Sequence, residues 1–257
     1  MKLKYFLIKG WRPVAVLLLL FIFWEIIAIK YLVDDWILPA PSKILTEAFV
    51  GWNQFYPDLL ATVWISIEGY AIGVAVGLLV AIFLHLLPWV RDAVYPLLIL
   101  SQNVPIIVLA PLLVIWFGFG LLPKLIVITL VCFFPITVAA LDGFRQVPQS
   151  YKHYMLMAGA TRGQLFWKLE WPYALPAIFS GLKISATYSV MGAVISEWLG
   201  SEKGIGVYMT LASSSFRTDK VFVAILAIML LSLLFFLVII ALEKYFIRWN
   251  GKGGKRE

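Results

Sequence analysis

Apolar residues fall into long unbroken runs along this chain, not into the alternation of strands or the narrow stripes of helices in soluble proteins. The first run, Val14 to Ile29, follows Lys2, Lys4, Lys9 and Arg12. That charge pattern resembles a secretory signal, but no small-residue cleavage site follows, so the run predicts an uncleaved membrane helix over residues 14–33. Asp34, Asp35, Pro39 and Pro41 end it, and Ser42 stands where it can cap a short amphipathic helix over about Lys43 to Asn53. Further runs predict spans over 59–84, 93–117, 125–141, 174–199 and 221–242. These suit a hydrocarbon core of roughly 30 Å, which takes about 20 helical residues to cross. The expected fold is all-α, a single polytopic membrane domain over residues 1–257 with six transmembrane helices.

Two spans and one loop carry further pattern. Gly69, Gly73 and Gly77 recur at every fourth position of the second span, a flat stripe that lets a neighbouring helix approach closely. The third span is interrupted by Pro96, Pro105 and Pro111 and holds Ser101-Gln102-Asn103 near its middle. Freed carbonyls and side-chain amides are costly in lipid, so this segment is expected to face protein or a water-filled path. From Asp142 to Trp171 the chain turns polar and basic. Pro148 suits a first helical turn, Gly159 a left-handed helix end, and Thr161 with Gln164 a capping box. With Pro172 closing the second helix, two short helices meeting at a glycine bend are predicted over Gln149 to Trp171.

Composition narrows the class. Of 257 residues 62% are hydrophobic and 14% charged, too few charges to cover a water-soluble fold. The net charge of +7 is not arranged as a stripe for tracking phosphates, so no nucleic acid partner is expected. It sets topology instead. Of the 21 lysines and arginines, 15 fall on one set of loops and termini and 6 on the other, which places both termini and the 142–172 loop in the cytoplasm. Cys132 is the single cysteine, and His85 and His153 are the only histidines, so neither a disulfide nor a metal site is expected, and no cofactor is implied.

Catalytic motifs are absent: there is no His-Glu-x-x-His, no Gly-x-Ser-x-Gly and no phosphate loop, so the chain is not expected to be an enzyme or to hydrolyse ATP by itself. A proton-coupled carrier would need intramembrane acids, for which Glu25 and Glu68 are the candidates. Glu25 could instead pair with Lys30, and no inverted repeat is evident.

The segment Gly159 to Pro176 resembles the "EAA" loop of binding-protein-dependent ABC importer permeases, in which Glu-Ala-Ala, three residues, Gly and nine residues precede Ile-x-Leu-Pro. Gly159 matches the glycine, and Leu169, Trp171 and Pro172 match the closing element. His153-Tyr154-Met155 stand where Glu-Ala-Ala would be. Leu38-Pro39-Ala40-Pro41, Val104-Pro105, Ile115-Trp116-Phe117-Gly118, Ser196-Glu197-Trp198-Leu199-Gly200 and Gly204-Ile205-Gly206 look like the nitrate, sulfonate, taurine and thiamine-precursor branch of that family.

The resemblance implies the type I importer fold in a bacterial cytoplasmic (inner) membrane. It also implies a homodimer working with two ABC ATPase subunits and an extracytoplasmic solute-binding protein. Carried over, His153, Tyr154 and Met155 lie on the helix that docks in the ATPase, with Gly159 and Ala160 at the bend behind it and Leu169 and Pro172 at the return. For the translocation path the family picture and the composition together give Ser101, Gln102 and Asn103, then Tyr188 and Ser189. Satisfaction of backbone groups freed by Pro105 is the competing role for Gln102 and Asn103. Glu197 is expected at an outer gate or a binding-protein contact, or else paired with Lys203. The segments around Ser101 and Ser196 look most like permeases for aminopyrimidine precursors of thiamine, with sulfonates such as taurine, nitrate and riboflavin behind.

Overall fold

A computed structural model describes residues 2–30 and 34–247. The end of the first predicted span at residues 31–33 and the basic tail beyond residue 247 lie outside the described residues. Among the described residues every regular element is a helix, as expected where runs of apolar residues in lipid must satisfy their backbone amides internally. The helices are α1 (Lys2–Lys30), α2 (Pro41–Val50), α3 (Trp52–Leu86), α4 (Pro88–Ser101), α5 (Ile106–Phe117), α6 (Leu121–Arg145), α7 (Gln149–Met157), α8 (Arg162–Leu165), α9 (Trp171–Glu197), α10 (Ile205–Ser214) and α11 (Thr218–Phe246). A π-turn, Phe166–Glu170, joins α8 to α9.

Three predicted spans sit within single long helices, α3, α6 and α11, another, 174–199, overruns the end of α9 by two residues, and residues 11–30 of α1 are apolar and long enough to cross a membrane as well. The span predicted over 93–117 is not one rod. Helices α4 and α5 meet at 100°, with Gln102 to Pro105 as the elbow between them. Proline at 105 has no N–H to continue α4, and it opens α5 instead, so Pro105 stands at the break, whereas Pro96 and Pro111 lie inside α4 and α5 and interrupt neither.

Helix α6 lies between α3 and α9 and packs on both. The glycine stripe of α3 makes that approach. A methyl group placed on Gly69 would lie 2.5 Å from Ile128 Cγ2, one on Gly73 2.6 Å from Cys132 Cβ, and one on Gly77 2.9 Å from the backbone oxygen of Phe133. No side chain larger than hydrogen fits there without moving α6. On the other face of α6, Gly143 is equally close to Ala174 of α9. Thr137 adds a polar tie, donating to the Gly77 carbonyl at 3.1 Å.

Two local expectations are corrected. Ser42 does not cap α2: the helix begins at Pro41, and Glu25 of α1 accepts hydrogen bonds from Ser42 N at 3.0 Å and Ser42 Oγ at 2.6 Å. A carboxylate from another helix thus serves the free amide at the N-terminus of α2, where the helix dipole favours negative charge. That engagement, not Lys30, occupies Glu25. Pro172 does not end a helix either. The Trp171 N–H reaches back five residues to the Phe166 carbonyl, and this wide turn carries the column through Pro172 into α9. In α-register the proline ring would strike the carbonyl of Lys168.

Candidate functional site

Helix α7 stands apart at one end of the bundle. None of its residues is fully buried. Tyr151, Tyr154 and Met157, spaced three apart, are 55%, 71% and 82% exposed and form one outward apolar face. His153 is also exposed, whereas Met155 and Lys152 turn partly inward. The helix closes by a Schellman arrangement: Gly159 N donates to Leu156 O and Ala160 N to Met155 O, each at 3.0 Å. Gly159 takes φ +82° to do so. Nothing lies within 4 Å of where its Cβ would be, so the backbone conformation alone calls for glycine. The next helix opens with the capping box read from the sequence, Gln164 N donating to Thr161 Oγ1 and Thr161 N to Gln164 Oε1.

Behind α7, at the end of the π-turn, lies Glu170. It accepts from Lys152 Nζ at 2.6 Å on one oxygen and meets His85 Nε2 at 2.8 Å on the other. Phe144 and Phe166 wall the imidazole, with ring centroids 4.6 and 5.9 Å away. Leu169 is half-buried on the same turn, and Pro172 stands in the first turn of α9. Neither Glu170 nor Lys152 was singled out from the sequence. Their partners lie on other elements, and no local pattern connects them.

The elbow between α4 and α5 overlooks a cavity of about 730 Å³ walled by α4, α5, α6 and Tyr188 of α9. Its lining is mainly aliphatic and aromatic, with Ser101, Gln102 and Tyr188 as its polar members. Ser101 Oγ donates to Leu98 O at 2.8 Å. The backbone N–H of Gln102 closes α4 on Leu100 O, while its side chain makes no hydrogen bond to the described residues. Asn103 is outside the lining, and its Nδ2 donates to Ile99 O at 3.3 Å, serving the broken helix. Ser189, next to Tyr188, faces the other way: it is fully buried and bonds Ala186 O at 2.8 Å. The structure thus brings Ser101, Gln102 and Tyr188 together and leaves Asn103 and Ser189 out.

At the opposite end of α9, Glu197 is 2% exposed. Its carboxylate accepts from Thr62 Oγ1 at 2.7 Å and from Gly206 N at 2.8 Å, while Thr62 Oγ1 accepts from Ile205 N and Asp58 accepts from Gly204 N. No ion pair joins it to Lys203 among the described residues. Buried this deeply within the chain, Glu197 anchors the first turn of α10 and with it the loop after α9, and only a small part of it reaches the neighbouring cleft. A cleft of about 600 Å³ lies beside it, lined among others by Trp64, Glu68, Phe119, Lys124, Glu202 and Lys203. Among the described residues no group of three His, Cys, Asp or Glu side chains is placed to hold a metal ion.

Five helices long and apolar enough to cross a membrane, plus a broken pair standing over a cavity, make the architecture of a multi-pass membrane protein. The class is a multi-pass transport permease. Residues 73–249 match the family described as the binding-protein-dependent transport system inner membrane component. The chain belongs to that family, the permeases of ABC importers. It is 35% identical to the formylaminopyrimidine transport permease protein ThiX of Halalkalibacterium halodurans, over 94% of this chain and 96% of the relative. Identity to the taurine transport system permease protein TauC of Escherichia coli is 30%, over 93% of this chain and 90% of the relative. It is 29% to the riboflavin transport system permease protein RibX of Chloroflexus aurantiacus, over 93% and 89%.

Proposed function

We propose that the chain, as one half of a homodimer, imports a small heteroaromatic solute of the aminopyrimidine type across a bacterial cytoplasmic membrane. ATP hydrolysis by two separate subunits docked on α7 drives the import. The observation that carries the docking assignment is α7 itself: a short helix with an outward Tyr151, Tyr154 and Met157 face, closed by a tight glycine turn at the end of the bundle. An exposed apolar stripe of this kind suits insertion into a groove of a partner. The absence of Glu-Ala-Ala shifts the contact towards aromatic and apolar packing.

The excess of lysine and arginine on the 142–172 loop and the termini supports a cytoplasmic placement for α7, with the loop anchored by Glu197 on the outer side, where a solute-binding protein delivers the cargo. An apolar recess bordered by Ile107, Met191, Trp198 and Met229 supports a second copy, or lipid, as its cover. Ser101, Gln102 and Tyr188 line the path, with Gln102 the free hydrogen-bonding group that a passing heterocycle can use. The 35% identity to a formylaminopyrimidine permease favours that class over taurine, other sulfonates, nitrate and riboflavin.

A mild-detergent pull-down of the tagged chain from its native membrane, with mass spectrometry of what is retained, tests the assembly. An ATPase with a phosphate loop is the expected companion, and a self-contained oligomer under several gentle conditions would count against it. Uptake of a labelled formylaminopyrimidine by the intact system, with taurine, nitrate and riboflavin as competitors, tests the cargo; competition by taurine alone would move the assignment to sulfonates.

A further inference from the structure

Helix α7 has no fully buried residue, so apolar packing alone does not fix it to the rest of the molecule. Its link to the membrane helices is electrostatic. Lys152 reaches inward to Glu170, and Glu170 spends its second oxygen on His85 in the last turn of α3. The three side chains are 17%, 8% and 14% exposed, and aromatic rings of α6 and the π-turn shield them. Screened from water, such contacts are strong and sensitive to geometry, and removing one member leaves a charge stranded. Glu170 is also the last residue of the π-turn, so its backbone belongs to the column that continues as α9. One carboxylate therefore joins α7, α3 and α9.

We propose that Glu170 is the positioning residue of the coupling joint: with Lys152 on one oxygen and His85 on the other, it makes α7, α3 and α9 move as one when a partner acts on α7. The proposal rests on the reading of α7 as the ATPase-docking helix. Without the bridge, α7 can follow the ATPase while the column stays behind, so nucleotide state no longer reaches the cavity at the elbow.

The test uses the complex purified with its own ATPase from the native membrane and placed in lipid nanodiscs. A Gln102→Cys reporter is labelled with a water-soluble maleimide, with and without ATP plus vanadate; the native Cys132 is buried and contributes little background. The reporter in an otherwise unchanged chain is expected to change labelling rate between the two states. With Glu170→Gln the ATPase stays bound and hydrolyses ATP, but the nucleotide-dependent change shrinks on the order of tenfold. The double variant Lys152→Glu with Glu170→Lys restores it.

An undiminished response in Glu170→Gln overturns the proposal and leaves the docking assignment standing, as does a reporter that ignores nucleotide while the ATPase is bound. A chain that retains no ATPase overturns the docking assignment and the proposal with it. If Glu170→Gln does not fold, Lys152→Met, on a helix outside the packed core, decides alone: a kept response sinks the idea and a lost one supports it.

Discussion

Glu170 and Glu197 sit at the two ends of one helix, and each closes a buried contact with an end of another. Glu170 meets His85 in the last turn of α3, and Glu197 meets Thr62 towards its start. Helices α3 and α9 therefore run antiparallel and are pinned top and bottom, over the roughly 40 Å that a helix of this length covers. Helix α6 fills the space between them against a stripe of glycines. What sequence spacing would call three separate spans is, in packing terms, one braced body. Helix α7 hangs from one end and the 200–206 loop from the other.

The outer pin should be costly to remove. Thr62→Val deletes the hydroxyl that donates to Glu197 and accepts from Ile205 N, leaving a buried amide unpaired and a buried carboxylate with Gly206 N alone. Each loss is worth about 1–3 kcal/mol, so the detergent-solubilised protein should melt measurably earlier, as followed by fluorescence-detected gel filtration after heating. Thr62→Ser, which keeps the hydroxyl, should recover most of the loss. Equal melting of the valine variant and the native chain would show that the pin holds nothing.

The glycine stripe makes a second, quantitative expectation. In Gly73→Ala the new methyl meets Cys132 Cβ at 2.6 Å, and overpacking of this kind costs about 1–3 kcal/mol. Because the obstacle is one side-chain carbon, Cys132→Gly should relieve much of it, giving a favourable coupling energy in a double-mutant cycle of thermal stabilities. Gly77→Ala has no such remedy, since the oxygen it meets belongs to the Phe133 backbone. Strictly additive effects of Gly73→Ala and Cys132→Gly would mean that the helices separate freely.

Much of this was legible in the sequence where the signal is local. The Gly159 closure and the Thr161 to Gln164 capping box follow from residues within one turn of each other, and the glycine stripe from a fixed period along one helix. The bridges through Glu170, Glu197 and Glu25 join residues on different elements, and one chain's order gives no sign of such pairings. Pro172 misleads for a related reason. Proline inside a helical pattern often ends or kinks the helix, and here the π-turn before Pro172, a feature without a sequence signature, accommodates it as the column continues. At the elbow, Pro105 and the amides announce a break, but whether Gln102 or Asn103 faces the cavity depends on the 100° bend.

Gly159 separates two kinds of cost. Alanine there meets no neighbour, so Gly159→Ala should cost only the strain of a positive φ, roughly 1–2 kcal/mol locally, and leave uptake close to native. Proline fixes φ near −65° and deletes the N–H that bonds Leu156 O, so Gly159→Pro should misdirect α7 while the chain still inserts in the membrane. Membrane fractionation and ATP-driven uptake by intact cells read both. Normal uptake by the proline variant would remove the bend from the coupling route.

The elbow offers the sharpest discrimination, because adjacent amides have opposite surroundings. Asn103 donates to Ile99 O in the broken helix, so Asn103→Leu removes a bond from the junction and should lower thermal stability by about 0.5–1.5 kcal/mol. The Gln102 side chain bonds to none of the described residues and opens onto the cavity, so Gln102→Leu, which keeps the backbone N–H, should leave stability unchanged. Its effect should fall on transport: a lost hydrogen bond to a polar heterocycle weakens passage by about tenfold, since each such bond contributes on the order of 1 kcal/mol or more when its partner is left unpaired. Tyr188→Phe, across the same cavity, should act in the same direction. Melting curves and initial uptake rates measured on the same membranes give the comparison. If Gln102→Leu destabilises the chain as much as Asn103→Leu while both transport at the native rate per folded molecule, the polar residues of the elbow are serving the bend alone, and the path must be sought along another wall.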